Sequence, residues 1–184
     1  MLGRDRLFHI GVTKMVKIHC ETSEDRASVR HVHQQAFGQS DEADLVERLH
    51  TANKASIALV ATLNGQVVAH VLFSPVVLDP VRPHFKAVGL APVAVLPEYQ
   101  KQGIGSRLIR EGLEACRDAG YGAVVVLGDP AYYSRFGFSR ARDHGLSNEY
   151  HADEHFMVMA LSEGVLDGVS GMLKYQPEFQ EVNP

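Results

Sequence analysis

A strand, a helix and a second strand follow one another in the middle of the chain, and this order constrains the fold more than any other feature. Residues 88–96 form an apolar, strand-like run, residues 103–120 have the periodicity of an amphipathic helix, and residues 123–127 have the pattern of a short buried strand. A helix that links two such strands makes them parallel neighbours with a right-handed crossover. Because proline cannot donate to a ladder, Pro92 predicts that the first strand is bulged, broken or unpaired on one side.

A β-hairpin and two helices are predicted before this unit. Residues 57–63 and 67–73 are strand-like, and the Asn-Gly dipeptide at 64–65 tolerates the positive φ of a tight hairpin turn. Upstream, residues 22–25 offer an N-cap hydroxyl and an acidic first turn for one helix, and residues 40–42 start a second.

The two ends of the chain have weaker patterns. Residues 1–14 show no clear periodicity, and we treat them as an N-terminal leader of unknown role before a single domain at residues 15–184. Toward the other end, residues 155–161 predict a late strand, and the glycines at 164–171 surround a weak helix. Helices that interrupt a mostly antiparallel meander predict an α+β fold (mixed α/β) with a mixed sheet.

Composition excludes several function classes. The net charge is −4, so no global basic field predicts binding to nucleic acid or to a membrane surface. The longest stretch without a polar side chain, residues 87–97, has 11 residues, whereas a membrane span needs about 18. The 2 cysteines make no disulfide framework, and the first residues lack the apolar run of a secretory signal. We therefore expect a cytoplasmic protein.

The turn between the central strand and its helix is suited to binding an anion. Gly103 and Gly105 remove the Cβ atoms that would obstruct it, so consecutive N–H groups can converge on one ligand. The start of the helix adds roughly half a positive charge, and Lys101 and Arg107 offer side-chain charge. These residues indicate a pyrophosphate cradle.

Two common phosphate loops do not fit this turn. A Walker A loop would follow Gly105 with a Lys–hydroxyl pair, but Ser106 and Arg107 stand there. A dinucleotide fingerprint would have a third glycine where Leu108 stands. Considered alone, the Gly-x-Gly pattern also fits a tight strand-to-helix turn with no ligand.

The surrounding residues resemble a known family. Gln100-x-x-Gly103-x-Gly105, after a strand that ends in Val-Leu-Pro, resembles the acyl-CoA-binding motif of the GNAT acetyltransferase superfamily. Residues 128–138 (Gly-Asp-Pro-Ala-Tyr-Tyr-Ser-Arg-Phe-Gly-Phe) resemble the region that holds the acid tyrosine of that family. With Phe-Met at 156–157, the pattern is similar to a subgroup of predicted N-acetyltransferases that carry a Tyr-Tyr-x-Arg-Phe-Gly-Phe block.

The resemblance implies a fold and an acyl-CoA site. The fold is GNAT-like, with helices flanking a central, mostly antiparallel mixed sheet in which one parallel strand pair is splayed for CoA. Backbone groups of Val93 and Val95 would pair with the pantetheine amides, and the N–H of Val93 or a near neighbour would face the thioester oxygen. Residues 102–106 would hold the pyrophosphate. The implied cosubstrate site consists of Val93, Ala94, Val95, Gln100, Lys101, Gln102, Gly103, Ile104, Gly105 and Ser106.

Tyr133 matches the position of the family's general acid, four residues before Gly137. A phenol, with an ordinary pKa of about 10, is protonated at neutral pH and can donate to the departing CoA thiolate. Adjacent helical side chains point about 100° apart, so we expect the neighbouring Tyr132 to pack instead. The general base is left unassigned: Asp129 fits a helix N-cap better, and Glu98 fits plain exposure.

Other chemistry-bearing residues are weaker candidates. His31 and His33 point away from each other on a helix, and His151 and His155 have no obvious third ligand, so we expect no metal site. Cys116 lies on the apolar face of the predicted central helix and is expected in the core.

The first functional hypothesis is an N-acetyltransferase that transfers the acetyl group of acetyl-CoA to an amine by direct attack in a ternary complex. The acceptor would be an amine-bearing small molecule or a protein amine, and a homodimer is common in the family. A non-catalytic acyl-CoA-binding or sensing module, or an acyltransferase that uses another acyl-CoA, remains as an alternative.

Overall fold

The computed structural model describes residues 6–10 and 14–181. The helices in these ranges are α1 (Arg26–Phe37), α2 (Asp41–Thr51), α3 (Ile104–Asp118) and α4 (Pro130–Tyr133). The strands are β1 (Arg6–Ile10), β2 (Lys14–Cys20), β3 (Ile57–Leu63), β4 (Gln66–Asp79), β5 (Ala87–Val95), β6 (Ala123–Leu127), β7 (Ser139–Arg140), β8 (Leu146–Asn148), β9 (Phe156–Ala160) and β10 (Gly171–Lys174).

The strands form one mixed sheet in the order β1-β2-β3-β4-β5-β6-β9-β7. Neighbours along this path are antiparallel, except that β5 and β6 run parallel, with α3 as their crossover helix. The predicted mixed, mostly antiparallel fold is confirmed. Off this path, β10 pairs antiparallel with β4 and parallel with β8, a second and shorter parallel pair that the sequence did not predict.

The parallel pair separates after a short contact. The pairing of β5 with β6 ends at Gly89 and Val125, although both strands continue. On the other edge of β5, Ala91 and Pro92 lie opposite the single residue Leu72 of β4, which makes a β-bulge. The irregularity predicted at Pro92 is therefore present, and a gap opens between β5 and β6 beyond it.

The hairpin of β3 and β4 forms as predicted, with positive φ at Asn64 (51°) and Gly65 (82°). However, β4 continues past Phe73 to Asp79. Pro75 favours an end to the strand, but residues on both sides of it pair with β5, and the last three residues pair with β10. Non-local pairing overrides the local signal here.

The predicted start of the first helix is wrong. The Asp25 carboxylate accepts hydrogen bonds from the backbone N–H and the hydroxyl of Thr22, both at 2.8 Å. These two residues therefore close a turn before the helix, and α1 begins only at Arg26. The helix ends at Gly38, whose φ is 73°.

The predicted weak helix near the C-terminal end is also wrong, because this stretch consists of turns followed by β10. A Cβ atom on Gly171 would lie 2.5 Å from the backbone oxygen of Asp79, so the pairing of β10 with β4 depends on glycine there. At the other end, β1 falls within the predicted leader and pairs antiparallel with β2. The remaining leader positions, 1–5 and 11–13, lie outside the described residues.

Helices pack on both faces of the sheet. On α3, Gly112 lies against Phe73 of β4, since an added Cβ would be 2.4 Å from the Phe73 ring. On α1, His33 contacts His70 of the same strand. Because residues three apart in a regular strand point to opposite faces, α1 and α3 cover opposite sides of β4.

Candidate active site

Backbone polar groups of β5 face the gap that opens toward β6. The N–H of Leu96 donates to the Val68 oxygen of β4 at 2.9 Å. Because N–H and C=O groups alternate direction along a strand, those of Val93 and Val95 point into the gap. Those of Ala94 point to β4 and its side chain is buried, so the structure does not bring this predicted residue to the gap.

The loop between β5 and α3 is shaped by two left-handed residues and two glutamine side chains. Lys101 has a φ of 58° and Gly103 a φ of 83°. Gln100 donates from its amide to the Val95 oxygen, and Gln102 donates to the Glu98 oxygen, both at 3.0 Å. These two side chains hold the loop in place and, because they donate to carbonyl oxygens, leave the backbone N–H groups of residues 102–106 for a ligand.

The first turn of α3 completes the loop. The N–H of Arg107 donates to the Gly103 oxygen, the first such bond at this end of the helix. The N–H groups of residues 104–106 precede it and have no acceptor within the helix, as at any helix start. Ile104 itself is buried in the core, so its contribution to the predicted site is confined to its backbone.

A cleft of about 480 Å³ lies over this loop. Arg135 contributes a positive charge that the sequence analysis did not assign to the site. Its guanidinium donates to the Ser106 hydroxyl at 3.3 Å and stacks 4.0 Å from the Tyr132 ring centroid. The cleft is lined by Val95, Tyr99, Gln100, Lys101, Gly103, Gly105, Ser106, Tyr132 and Arg135.

The two adjacent tyrosines of α4 have different environments. Tyr132 lines the cleft, so the expectation that it only packs differs from the structure. Tyr133 is buried, and its ring lies so close to Gly128 that an added Cβ would be 2.3 Å from it. Burial, and secondarily Tyr132, raises the pKa of Tyr133 to about 12, so its phenol stays protonated at neutral pH. Asp129 caps α4 by accepting from the Ala131 N–H at 2.9 Å.

A chain of buried polar side chains lies on the α1 face of the sheet and was missed by the sequence analysis. The Glu21 carboxylate accepts from Nε2 of His50 at 2.9 Å and of His70 at 3.0 Å, and Oε1 lies 2.8 Å from Nε of Arg26. A carboxylate only accepts, so His70 carries its proton on Nε2 and accepts on Nδ1 from His33 Nε2 at 2.8 Å. The network thus fixes both tautomers.

The part of the chain that the structure describes has neither a metal-binding cluster nor a membrane-spanning helix. Over residues 6–10 and 14–181, no three His, Cys, Asp or Glu side chains are grouped so that they could hold a metal ion. Over the same residues, every helix is too short or too polar to cross a bilayer.

Known proteins are similar to this chain in sequence and in fold. A family model described as an acetyltransferase (GNAT) domain matches residues 17–141. The uncharacterized N-acetyltransferase YhbS of Escherichia coli K12 is 39% identical over 164 residues, which cover 88% of this chain and 97% of that protein.

Two solved structures extend this likeness. The crystal structure of YhbS from Escherichia coli in complex with CoA has a TM-score of 0.87 and 34% identity, and covers 100% of this chain and 97% of that one. A GNAT family acetyltransferase from Brucella melitensis, in complex with acetyl-CoA, has a TM-score of 0.75 and 35% identity, and covers 89% of this chain and 97% of that one. The resemblance drawn from the loop motif is confirmed: the chain belongs to the GNAT acetyltransferase family.

Proposed function

We propose that this protein transfers the acetyl group of acetyl-CoA to an amine acceptor by direct attack in a ternary complex. The observation that carries the proposal is the gap between β5 and β6, into which backbone polar groups of β5 point and which leads into the glycine loop of α3. CoA and acetyl-CoA in the two similar solved structures support the same cosubstrate here.

Two sets of residues would bind two different parts of acetyl-CoA. Val93 and Val95 would pair with the pantetheine amides as a neighbouring strand would. Backbone N–H groups of residues 102–106 would take the pyrophosphate, with Lys101 and Arg135 at its edge supplying positive charge.

The proposed reaction needs a hydrogen-bond donor for the developing oxyanion and a proton donor for the departing thiolate. The amine nitrogen forms a bond to the thioester carbon, the C–S bond breaks, and the amine releases its surplus proton to water, from which the phenolate left on Tyr133 regains a proton. The N–H of Val93 is the donor for the developing oxyanion. The protonated phenol of Tyr133 donates to the departing thiolate.

Calorimetric titration with acetyl-CoA tests the cosubstrate site. We expect micromolar binding to the wild type and no measurable binding to Gly103→Glu, which places negative charge where the pyrophosphate should lie. Both Gly103→Glu and its matched control Gly103→Gln carry the strain of a side chain at a φ of 83°. A difference in acetyl-CoA affinity between the two variants therefore reports the effect of the charge. Absence of binding to the wild type would overturn the proposed function.

A further inference from the structure

The point at which β5 and β6 part carries two hydroxyl groups that the proposed reaction does not use. Gly89 is the last residue of β5 paired with β6, and Ser74 of β4 lies directly opposite it, on the same face of the sheet. Tyr175, just after β10, lies against Gly89, since an added Cβ there would be 2.5 Å from the Tyr175 Cε1. We call Ser74, Gly89 and Tyr175 the fork.

Both hydroxyl groups of the fork are buried without a partner. Ser74 is 0% exposed and Tyr175 7%. Within the described residues, neither hydroxyl oxygen has a hydrogen-bonding partner. Buried polar groups nearly always have one, so two orphan hydroxyls on one face at one point indicate a group that is bound there during function.

The ring of Tyr175 is held in place by contacts that do not involve its hydroxyl. Its backbone N–H donates to the Glu149 carboxylate at 2.7 Å. Its ring packs against Phe179 and Tyr150, with centroids 5.0 Å and 5.9 Å away. Tyr150 is 40% exposed, so an aromatic surface with a carboxylate beside it runs from solvent toward the fork.

We propose that the hydroxyls of Ser74 and Tyr175 bind the acceptor nitrogen, and that the acceptor is a primary amine on an unbranched alkyl arm. Two hydroxyl oxygens match the two N–H groups of a neutral primary amine and leave its lone pair free for attack. Because both hydroxyls are buried, an acceptor that binds them must present its nitrogen on a slim arm. The Glu149 carboxylate and the neighbouring rings favour the cationic form on entry, and the ammonium gives its extra proton to water before its nitrogen binds the two hydroxyls. This inference rests on the proposed function.

Two variants remove only the hydroxyls: Tyr175→Phe and Ser74→Ala. Tyr121→Phe is the matched control, because it removes a phenol hydroxyl from a partly exposed tyrosine that lies in neither the cleft nor the fork. The probe is n-butylamine, which copies the end of a lysine side chain, compared with sec-butylamine and N-methylbutylamine. Turnover is measured as release of CoA thiol, acetyl-CoA affinity by calorimetry and stability by thermal unfolding.

We expect each hydroxyl variant to raise KM for n-butylamine about tenfold, the effect of one neutral hydrogen bond. Acetyl-CoA affinity should change less than about twofold, and Tm should stay level or rise, since an unpaired buried hydroxyl is lost. The wild type should turn over sec-butylamine and N-methylbutylamine at least about tenfold less efficiently than n-butylamine.

The remaining outcomes overturn the inference. An unchanged KM in both variants, or a large fall in Tm in both, would show that the hydroxyls serve the fold and not the acceptor. Equal turnover of the branched or N-methylated amine, or no turnover of n-butylamine by an enzyme that binds acetyl-CoA, would rule out the acceptor class. A wild type that does not bind acetyl-CoA would instead fail the proposed function, and this inference with it.

Discussion

At the scale of single residues, the proposed chemistry depends on the contact between Gly128 and Tyr133. The glycine lets the buried phenol ring lie against the main chain at the end of β6. Burial there raises the pKa of the phenol to about 12, so it stays protonated at neutral pH. A protonated phenol can give up a proton, as the proposed transfer to the departing thiolate requires.

We therefore expect Tyr133→Phe to lower kcat about 100-fold, the usual contribution of a positioned general acid. The ring and its packing remain, so acetyl-CoA affinity should change less than about twofold. The measurement is steady-state turnover of n-butylamine together with calorimetric titration.

Tyr132→Phe is the matched control for this prediction. Tyr132 lines the cleft, and its hydroxyl lies 4.0 Å from the position that a Cβ on Gly105 would take, so its loss should affect binding more than turnover. An unchanged kcat in Tyr133→Phe would remove the phenol from the mechanism.

Some residues of the site were predictable and others were not. Gly103 and Gly105 carry a local signal, because the turn into the helix needs a left-handed φ at Gly103 and leaves little room for a Cβ at Gly105, 3.2 Å from the Val95 side chain. Arg135 and Tyr175 carry none. Arg135 reaches the cleft through a contact with Ser106, and Tyr175 reaches the fork through a contact with Gly89, and both partners are far away in sequence.

At the scale of elements, the buried chain from Glu21 through His70 to His33 joins β2, β4 and α1. Burial lowers the pKa of His33 from 6.5 to about 3. Burial alone would raise the pKa of Glu21, but hydrogen bonds from His50 and His70 and their charges lower it from 4.5 to about 2. Both folded values lie below the unfolded ones, so the native state prefers the deprotonated form of each group.

This preference predicts that the protein loses stability in acid. The contribution of neutral His33 is fully present above pH 6.5 and is lost as the pH falls toward 3, and that of Glu21 is lost from pH 4.5 toward 2. Between pH 7 and pH 5, His33 alone should lower the free energy of unfolding by about 2 kcal/mol. The measurement is urea unfolding at several pH values.

Two variants on α1, His33→Gln and His31→Gln, test whether His33 causes this loss of stability in acid. The glutamine amide can donate to His70 in place of His33 Nε2 but does not titrate, so the slope of stability against pH should become shallower. His31 is exposed two residues away, and its variant should keep the wild-type slope. Equal slopes in all three proteins would contradict the role of His33.

Elements defined by local signals were predicted well, and those defined by distant partners were not. The Asn-Gly turn and the apolar stripe of α3 specify their elements within a few residues. In contrast, β10 exists because it pairs with β4 and β8, and its glycine-rich approach has no strand pattern of its own. The start of α1 was missed because Thr22 and Asp25 bond to each other.

At the scale of the whole molecule, one sheet extends from β1 to β7. It is interrupted by the gap between β5 and β6, which we call the seam. The loop with Gly103 lies at the open end of the seam and Tyr175 at its closed end. A ligand in the seam would therefore contact both halves of the sheet. The boundary drawn after residue 14 and the homodimer stay predictions.

Acetyl-CoA bound in the seam would contact both halves of the sheet, so it should raise the free energy of unfolding. Binding to the native state alone, at a concentration of 100 times Kd, adds about 2.7 kcal/mol to the free energy of unfolding. In a domain of this size, that corresponds to a rise in Tm of about 5–11 °C. Thermal unfolding of the wild type with and without saturating acetyl-CoA measures the shift.

The seam also determines which fragments of acetyl-CoA should reproduce the shift. Adenosine 3′,5′-bisphosphate carries no pantetheine and cannot pair with Val93 and Val95, so it should raise Tm much less than acetyl-CoA at the same concentration. CoA retains the pantetheine and the pyrophosphate, and it should give most of the shift. If the bisphosphate alone stabilised the protein as much as acetyl-CoA, the backbone groups of Val93 and Val95 would have no part in binding. The seam would then be a feature of the fold only.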